Sequence, residues 1–186
     1  MKKKRILALF LAAVSCLSLA VSASAANTPN RKATDFRDFD RSAWYAEAVS
    51  AAVDNGLLYG KSSSIIDPNG DMTRAEMAAI INRSFGCYAK ADISKYKDVS
   101  KDKWYFEDVA MAVQMGTYNG RSNTAMAPDA PITRQEAMTV VARALELDYD
   151  AYAKTDLSAF SDRSEISNWA MPYVRAMVGA DYIHGR

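Results

Sequence analysis

The sequence has few of the side chains that perform chemistry. Among 186 residues there is one histidine, His184 near the C-terminal end, and there are two cysteines, Cys16 and Cys87. No G-x-S-x-G, H-E-x-x-H or C-x-x-C pattern occurs. The acidic residues form no repeated close pair of the kind a glycosidase needs, outside those that read as helix caps. No catalytic residue, metal or cofactor is therefore expected. Charge of one sign is also lacking: 23 Lys and Arg stand against 22 Asp and Glu. Only one long apolar run exists, at 6–21, and no later stretch approaches the roughly 18–20 residues of a membrane span.

That run has a particular setting. Lys2, Lys3, Lys4 and Arg5 precede it, and Ala23-Ser24-Ala25 follows. A basic start, an apolar stretch and an A-x-A site are the layout of a secretory signal peptide, residues 1–25. Lipid attachment at Cys16 is the competing reading, but Ala13-Val14-Ser15 lacks the leucine expected three places before the cysteine. Removing the signal leaves 161 residues with 19 basic and 22 acidic side chains, a net charge of −3. With no basic run left, nucleic acid and anionic membrane surfaces are excluded as main partners. Cys87 then has no disulfide partner in the chain, so a core must hold the fold. Its alignment with Leu147 reads as a small core position. At 49% hydrophobic residues, the composition suffices for such a core.

The rest of the chain repeats itself. Residues 36–86 slide onto 96–146 at an offset of 60 with 15 identities in 51 positions, where about three would arise by chance. They include Asp38/Asp98, Trp44/Trp104, Gly56/Gly116, Gly60/Gly120, Thr73/Thr133, Arg74/Arg134 and Glu76/Glu136. A third repeat starts with Phe160-Ser161-Asp162, reaches Trp169, and has Gly185 at the expected spacing of 16, with Asp181 in place of a glycine. It stops about 26 residues short of the others. The organisation is thus signal 1–25, linker 26–35, repeat one 36–88, repeat two 96–147 and a truncated repeat three 160–186.

Each full repeat predicts two helices. The first carries Trp44, Ala48, Val49, Ala52 and Val53, or Trp104, Asp108, Val109, Ala112 and Val113, and stops at Gly56 or Gly116. The second carries Met77, Ile80, Ile81 and Phe85, or Ala137, Val140, Val141, Ala144 and Leu145. A loop rich in Gly, Ser, Asn and Pro joins them. Neither pair can bury its apolar face alone, so the repeats must pack on one another.

The tetrads Thr73-Arg74-Ala75-Glu76 and Thr133-Arg134-Gln135-Glu136 read as capping boxes, with Thr73 and Thr133 as N-caps and Glu76 and Glu136 reaching back. Capping does not require the arginine. Arg74 and Arg134 face the unfavourable end of the helix dipole. Either they bind an anion with the help of backbone N–H groups, or they pair with Asp38, Asp98 or Asp162 of a neighbouring repeat. Trp44, Trp104 and Trp169 are either core or an aromatic platform for a sugar ring. Gly60 and Gly120 imply positive φ, or a close approach of backbone or ligand. The acidic loop 67–71 does not make a calcium site, because Met72 and Ala78 stand where the loop needs glycine and glutamate.

In order and spacing, the set resembles the S-layer homology domain family: Phe36-Arg37-Asp38-Phe39, Trp44-Tyr45, Gly56 to Gly60 and Pro68 to Glu76, then Tyr96-Lys97-Asp98-Val99, Trp104-Tyr105, Gly116 to Gly120 and Pro128 to Glu136. The resemblance covers 36–186. It implies an all-α fold with three helix-loop-helix repeats in a pseudo-threefold, three-pronged spindle, here with the third incomplete. It further implies a non-enzymatic anchor, retained at the bacterial cell wall, that binds a secondary polysaccharide attached to peptidoglycan. Pyruvate ketals on that polymer supply carboxylates. By the family layout Arg74 faces Trp104 and Gly120, Arg134 faces Trp169 and Gly185, and Gly60, Asp98 and Asp162 join the sugar-binding grooves. The missing second half of repeat three implies either the leading part of a longer protein, such as a secreted wall-active enzyme, or completion by another chain. The latter would make a self-associating surface-layer protein.

Overall fold

The computed structural model describes residues 31–184. The signal segment, the start of the linker and Gly185 lie outside them. Five helices are present among the described residues: α1 Ala46–Asp54, α2 Arg74–Phe85, α3 Phe106–Gln114, α4 Arg134–Ala144 and α5 Met171–Gly179. Short 3-10 turns cover Ala33–Asp35 and Arg163–Glu165. The fold is all-α. No strand occurs among the described residues, only one isolated antiparallel bridge between Thr73 and Pro131.

The capping boxes form as their sequences require. Thr73 Oγ1 accepts the N–H of Glu76 at 3.2 Å, and the Thr73 N–H donates to Glu76 Oε2 at 2.9 Å. Thr133 and Glu136 repeat the arrangement at 3.3 and 2.9 Å. The far ends differ. α2 stops at Gly86, whose φ of 64° is left-handed, whereas the equivalent Glu146 holds φ 50° with a full side chain. That conformation crowds Cβ against the carbonyl of any L-residue.

The chain divides into two compact units after Gly70. The first centres on Ala33, Phe36, Val53 and Ile66, with Phe39, Val49 and Leu58 against them. In the second, α2 packs on α3, and α4 on α5. The second helix of one repeat therefore lies against the first helix of the next. Sequence repeat and packing pair are half a period out of phase. Ala75 and Ala78 are buried in the α2–α3 core together with Tyr105, Val109 and Ala112, their small side chains allowing close approach. Asn82 is buried too, and donates to the carbonyl and carboxylate oxygens of Asp108 at 2.8 and 3.1 Å. A separate cluster of Leu157, Ala170 and Val174 joins α5 to Met138 of α4.

The core faces need correction at their edges. Trp44 is 83% exposed and Trp104 59%, while their neighbours Tyr45 and Tyr105 are buried. The helices begin at Ala46 and Phe106, so each tryptophan sits in the turn before its helix. Helical periodicity does not reach back that far. Ala48 and Phe85 are exposed as well, and Cys87 is only half-buried.

Candidate ligand-binding site

Arg74 and Arg134 hold the same motif position and have opposite surroundings. Arg74 is 5% exposed. Its Nε donates to the Met126 carbonyl at 3.0 Å, Nη2 to the Asn119 carbonyl at 3.1 Å, and Nη1 to Glu136 Oε1 at 2.9 Å. The guanidinium also lies 5.1 Å from the centre of the Tyr118 ring. A buried guanidinium requires such matching, since an unpaired charge in the interior is strongly destabilising. The internal ion pair is therefore made by Glu136, and not by Asp38, Asp98 or Asp162. The N-terminus of α2 is closed in the same way: the Arg74 N–H donates to the Ala130 carbonyl at 3.0 Å and the Ala75 N–H to the Pro128 carbonyl at 2.9 Å.

Glu136 carries three duties at once. It caps Thr133, accepts Arg74, and takes Nε and Nη2 of Arg121 at 3.1 Å each. Burial pushes its carboxyl up, but the hydrogen bonds of Arg121 and Thr133 and the charges of Arg74 and Arg121 outweigh that, holding it below the usual glutamate value. From the sequence, Glu136 reads only as a cap.

Asp38 and Asp98 hold the loops. Asp38 accepts the N–H groups of Ile66 and Asp67, and Asp98 those of Met126 at 2.9 Å and Ala127 at 2.7 Å. Asp67 and Ala127 are left-handed at φ 55°, and the carboxylate fixes that turn. Gly60 and Gly120 meet the aromatic ring of the same motif. A Cβ on Gly60 would lie 2.5 Å from Phe36 and 2.6 Å from the Ile65 carbonyl, and one on Gly120 would lie 2.4 Å from Tyr96. The close approach at both glycines is thus to the protein's own chain.

Arg134 is exposed, with no hydrogen-bond or ion-pair partner among the described residues. The N–H groups of Arg134 and Gln135 likewise have no partner among them. They open onto a cavity of about 570 Å³, walled by Arg134, Gln135, Phe160, Asp162, Glu165 and Ile183. That volume suits a sugar-sized ligand. Gln135 Oε1 accepts the Ser167 N–H at 2.9 Å, pinning the segment that follows the third repeat's 3-10 turn to the start of α4. Of the expected site residues, Arg134 and Asp162 are brought together here. Trp169, 52% exposed, does not line the cavity, nor do Trp104, Asp98 or Gly120. Gly60 belongs to the other compact unit. Among the described residues no group of His, Cys, Asp and Glu is placed to hold a metal, and no helix is long and apolar enough to cross a membrane.

Comparison with known proteins bears on the repeats. The S-layer homology domain matches residues 35–78 and 95–138, the two complete repeats. A surface-layer 125 kDa protein of Lysinibacillus sphaericus is 34% identical over 177 residues, covering 95% of this chain and 14% of its own. An endoglucanase of Bacillus sp. (strain KSM-635) is 25% identical over 98% of this chain and 19% of its own. A cellulosome-anchoring protein of Acetivibrio thermocellus is 26% identical, over 69% of this chain and 30% of its own. The chain thus spans less than a third of each of these relatives. S-layer homology domains anchor proteins at the cell surface, which places this one outside the cell at the wall. Two matched repeats, each with its F/Y-x-D clamp and T-R-x-E cap, make the chain a member of the S-layer homology domain family.

Proposed function

We propose that the protein is a non-enzymatic wall anchor that binds a secondary cell-wall polysaccharide through the Arg134 cavity. The observation that carries this reading is the contrast between the two arginines: Arg74 is sealed by its own chain, while Arg134 and the first N–H groups of α4 face an open cavity. A guanidinium beside free helix N–H groups takes a carboxylate in two-pronged fashion. A pyruvate ketal on a sugar supplies that carboxylate. Asp162 and Glu165 on the same wall accept hydrogen bonds from sugar hydroxyls, and Phe160 offers an apolar face to the ring. Exposed Trp104 and Trp169 add aromatic surface outside the cavity.

The test is co-sedimentation with isolated walls. Wild type should pellet, Arg134→Ala should pellet about tenfold less at equal concentration, and acid extraction of the secondary polymer should abolish pelleting. Equal pelleting by Arg134→Ala, or by stripped walls, would sink this reading.

A second reading has its own support. What seals Arg74 is the loop and capping glutamate of the following repeat. Arg134 would take an equivalent protein segment from another molecule equally well, giving a self-associating surface protein. A single monomeric species in sedimentation across a wide concentration range counts against that reading.

A further inference from the structure

A second cavity, of about 370 Å³, lies on the other side of Leu157 and is lined by Lys154, Asp156, Ser158, Arg163, Met171 and Arg175 among others. The internal repeat shows what is unusual about it. Laying Phe160-Ser161-Asp162 on Tyr96-Lys97-Asp98 puts Lys154 on Lys90, Asp156 on Asp92, Ser158 on Ser94 and Arg163 on Val99. Laying Trp169 on Trp104 puts Pro172 on Glu107 and Arg175 on Ala110.

The acidic part is shared by both repeats. Asp92 accepts the Ser94 N–H at 2.9 Å, and Asp156 accepts the Ser158 N–H at 2.8 Å and its hydroxyl at 2.7 Å. The cations are not shared. Arg163 and Arg175 replace the buried apolar residues Val99 and Ala110. Lys90 is paired with Glu107, but the proline at 172 removes that carboxylate, and Lys154 has no ion-pair partner among the described residues. Arg175 uses Nη1 on the Ala153 carbonyl, yet its Nε lies buried with no acceptor in the protein. A buried guanidinium N–H without an acceptor is costly to keep. Arg163 donates from Nη1 to the Phe160 carbonyl at 3.2 Å.

We propose that Lys154, Arg163 and Arg175 form a phosphate-binding site in this cavity, separate from the Arg134 site. Three cations around one carboxylate leave two positive charges, which matches a phosphate group of about −1.5 to −2 better than a single carboxylate. The arginines present planar donor edges suited to its oxygens. The site belongs to the third repeat alone, because the equivalent positions in repeat two hold a valine, an alanine and a neutralised lysine.

The test is titration of the full chain with inorganic phosphate, followed by the Nε–H resonance of Arg175 and by calorimetry. A dissociation constant on the order of 1 mM or tighter is expected. Arg175→Ala and Arg163→Val install the residues of repeat two and should each weaken phosphate binding about tenfold. In the Arg134→Ala background, which removes the carboxylate site proposed above, acetate should bind at least about tenfold more weakly than phosphate, and glycerol phosphate should compete with phosphate, marking a phosphorylated polymer as an alternative source of the same group. Arg134→Ala should leave the response of the Arg175 Nε–H resonance to phosphate unchanged, so failure here is distinct from failure of the wall-anchoring reading. Should Arg175→Ala lose helicity, Arg163→Val decides, since Arg163 is exposed. Absence of phosphate binding, unchanged binding in Arg163→Val, or equal affinity for acetate would overturn the proposal.

Discussion

Arg74 and Glu136 are 62 residues apart in the chain and meet at 2.9 Å, each in the capping tetrad of its own repeat. The start of one helix is thereby tied to the start of the corresponding helix one repeat later. The pair is shielded from solvent, so its loss leaves a buried charge uncompensated.

Arg74→Ala should therefore destabilise the protein by about 3–5 kcal/mol, while Arg134→Ala at the equivalent position should change stability by less than about 0.5 kcal/mol. Urea unfolding followed by helicity compares them directly. Similar losses for both variants would mean that Arg134 is also structural.

Glu136 sets an acid limit. Its folded carboxyl is held below the ordinary value, so the stabilisation is present above the unfolded value and disappears as pH falls through the folded one. Thermal melts between pH 7 and 3 (roughly the range spanning the ordinary glutamate value) should fall in wild type. Glu136→Gln should be less stable at pH 7 and flatter across the range.

Tyr105 sets an alkaline limit. Burial, then its hydrogen bond to Asp129 at 2.8 Å and the nearby carboxylates, raise its hydroxyl to about 12. Folding therefore favours the protonated phenol. Its contribution is intact below the ordinary tyrosine value of about 10 and is lost as pH rises through about 12. Tyr105→Phe should remove one phenolate component that titrates well above the ordinary tyrosine value in the absorbance titration.

Glu146 holds a left-handed backbone where repeat one has Gly86. Glu146→Gly should stabilise the protein by about 0.5–1 kcal/mol, read as a raised melting temperature. A lower one would show that the glutamate side chain makes a compensating contact.

The sequence carried the helices and their caps plainly, because a capping box is local: Thr73 and Glu76 find each other within one turn. The F/Y-x-D aspartate was visible as a motif but not as a loop clamp, since Asp98 acts on backbone N–H groups 28 and 29 positions away. A 3.6-residue period carried back to Trp44 and Trp104 puts both on core faces, but the helices start at Ala46 and Phe106, and the turn geometry before them rotates the next residue inward. The different fates of Arg74 and Arg134 were illegible for another reason. The two tetrads share the same Thr-Arg-x-Glu pattern, and what distinguishes the arginines is the loop folded over one of them.

The half-period offset between repeat and packing pair bears on how the chain is made. As it is synthesised or exported from its N-terminus, α2 emerges with an apolar side that nothing upstream in its own compact unit covers. Its partner in that unit is α3, which begins 21 residues beyond its end (Phe85 to Phe106). α4 pairs in the same way with α5. Within this unit the second helix of a repeat is covered by the first helix of the next, so folding there advances in steps that straddle the repeat boundaries, and a pause between repeats strands a helix rather than finishing one.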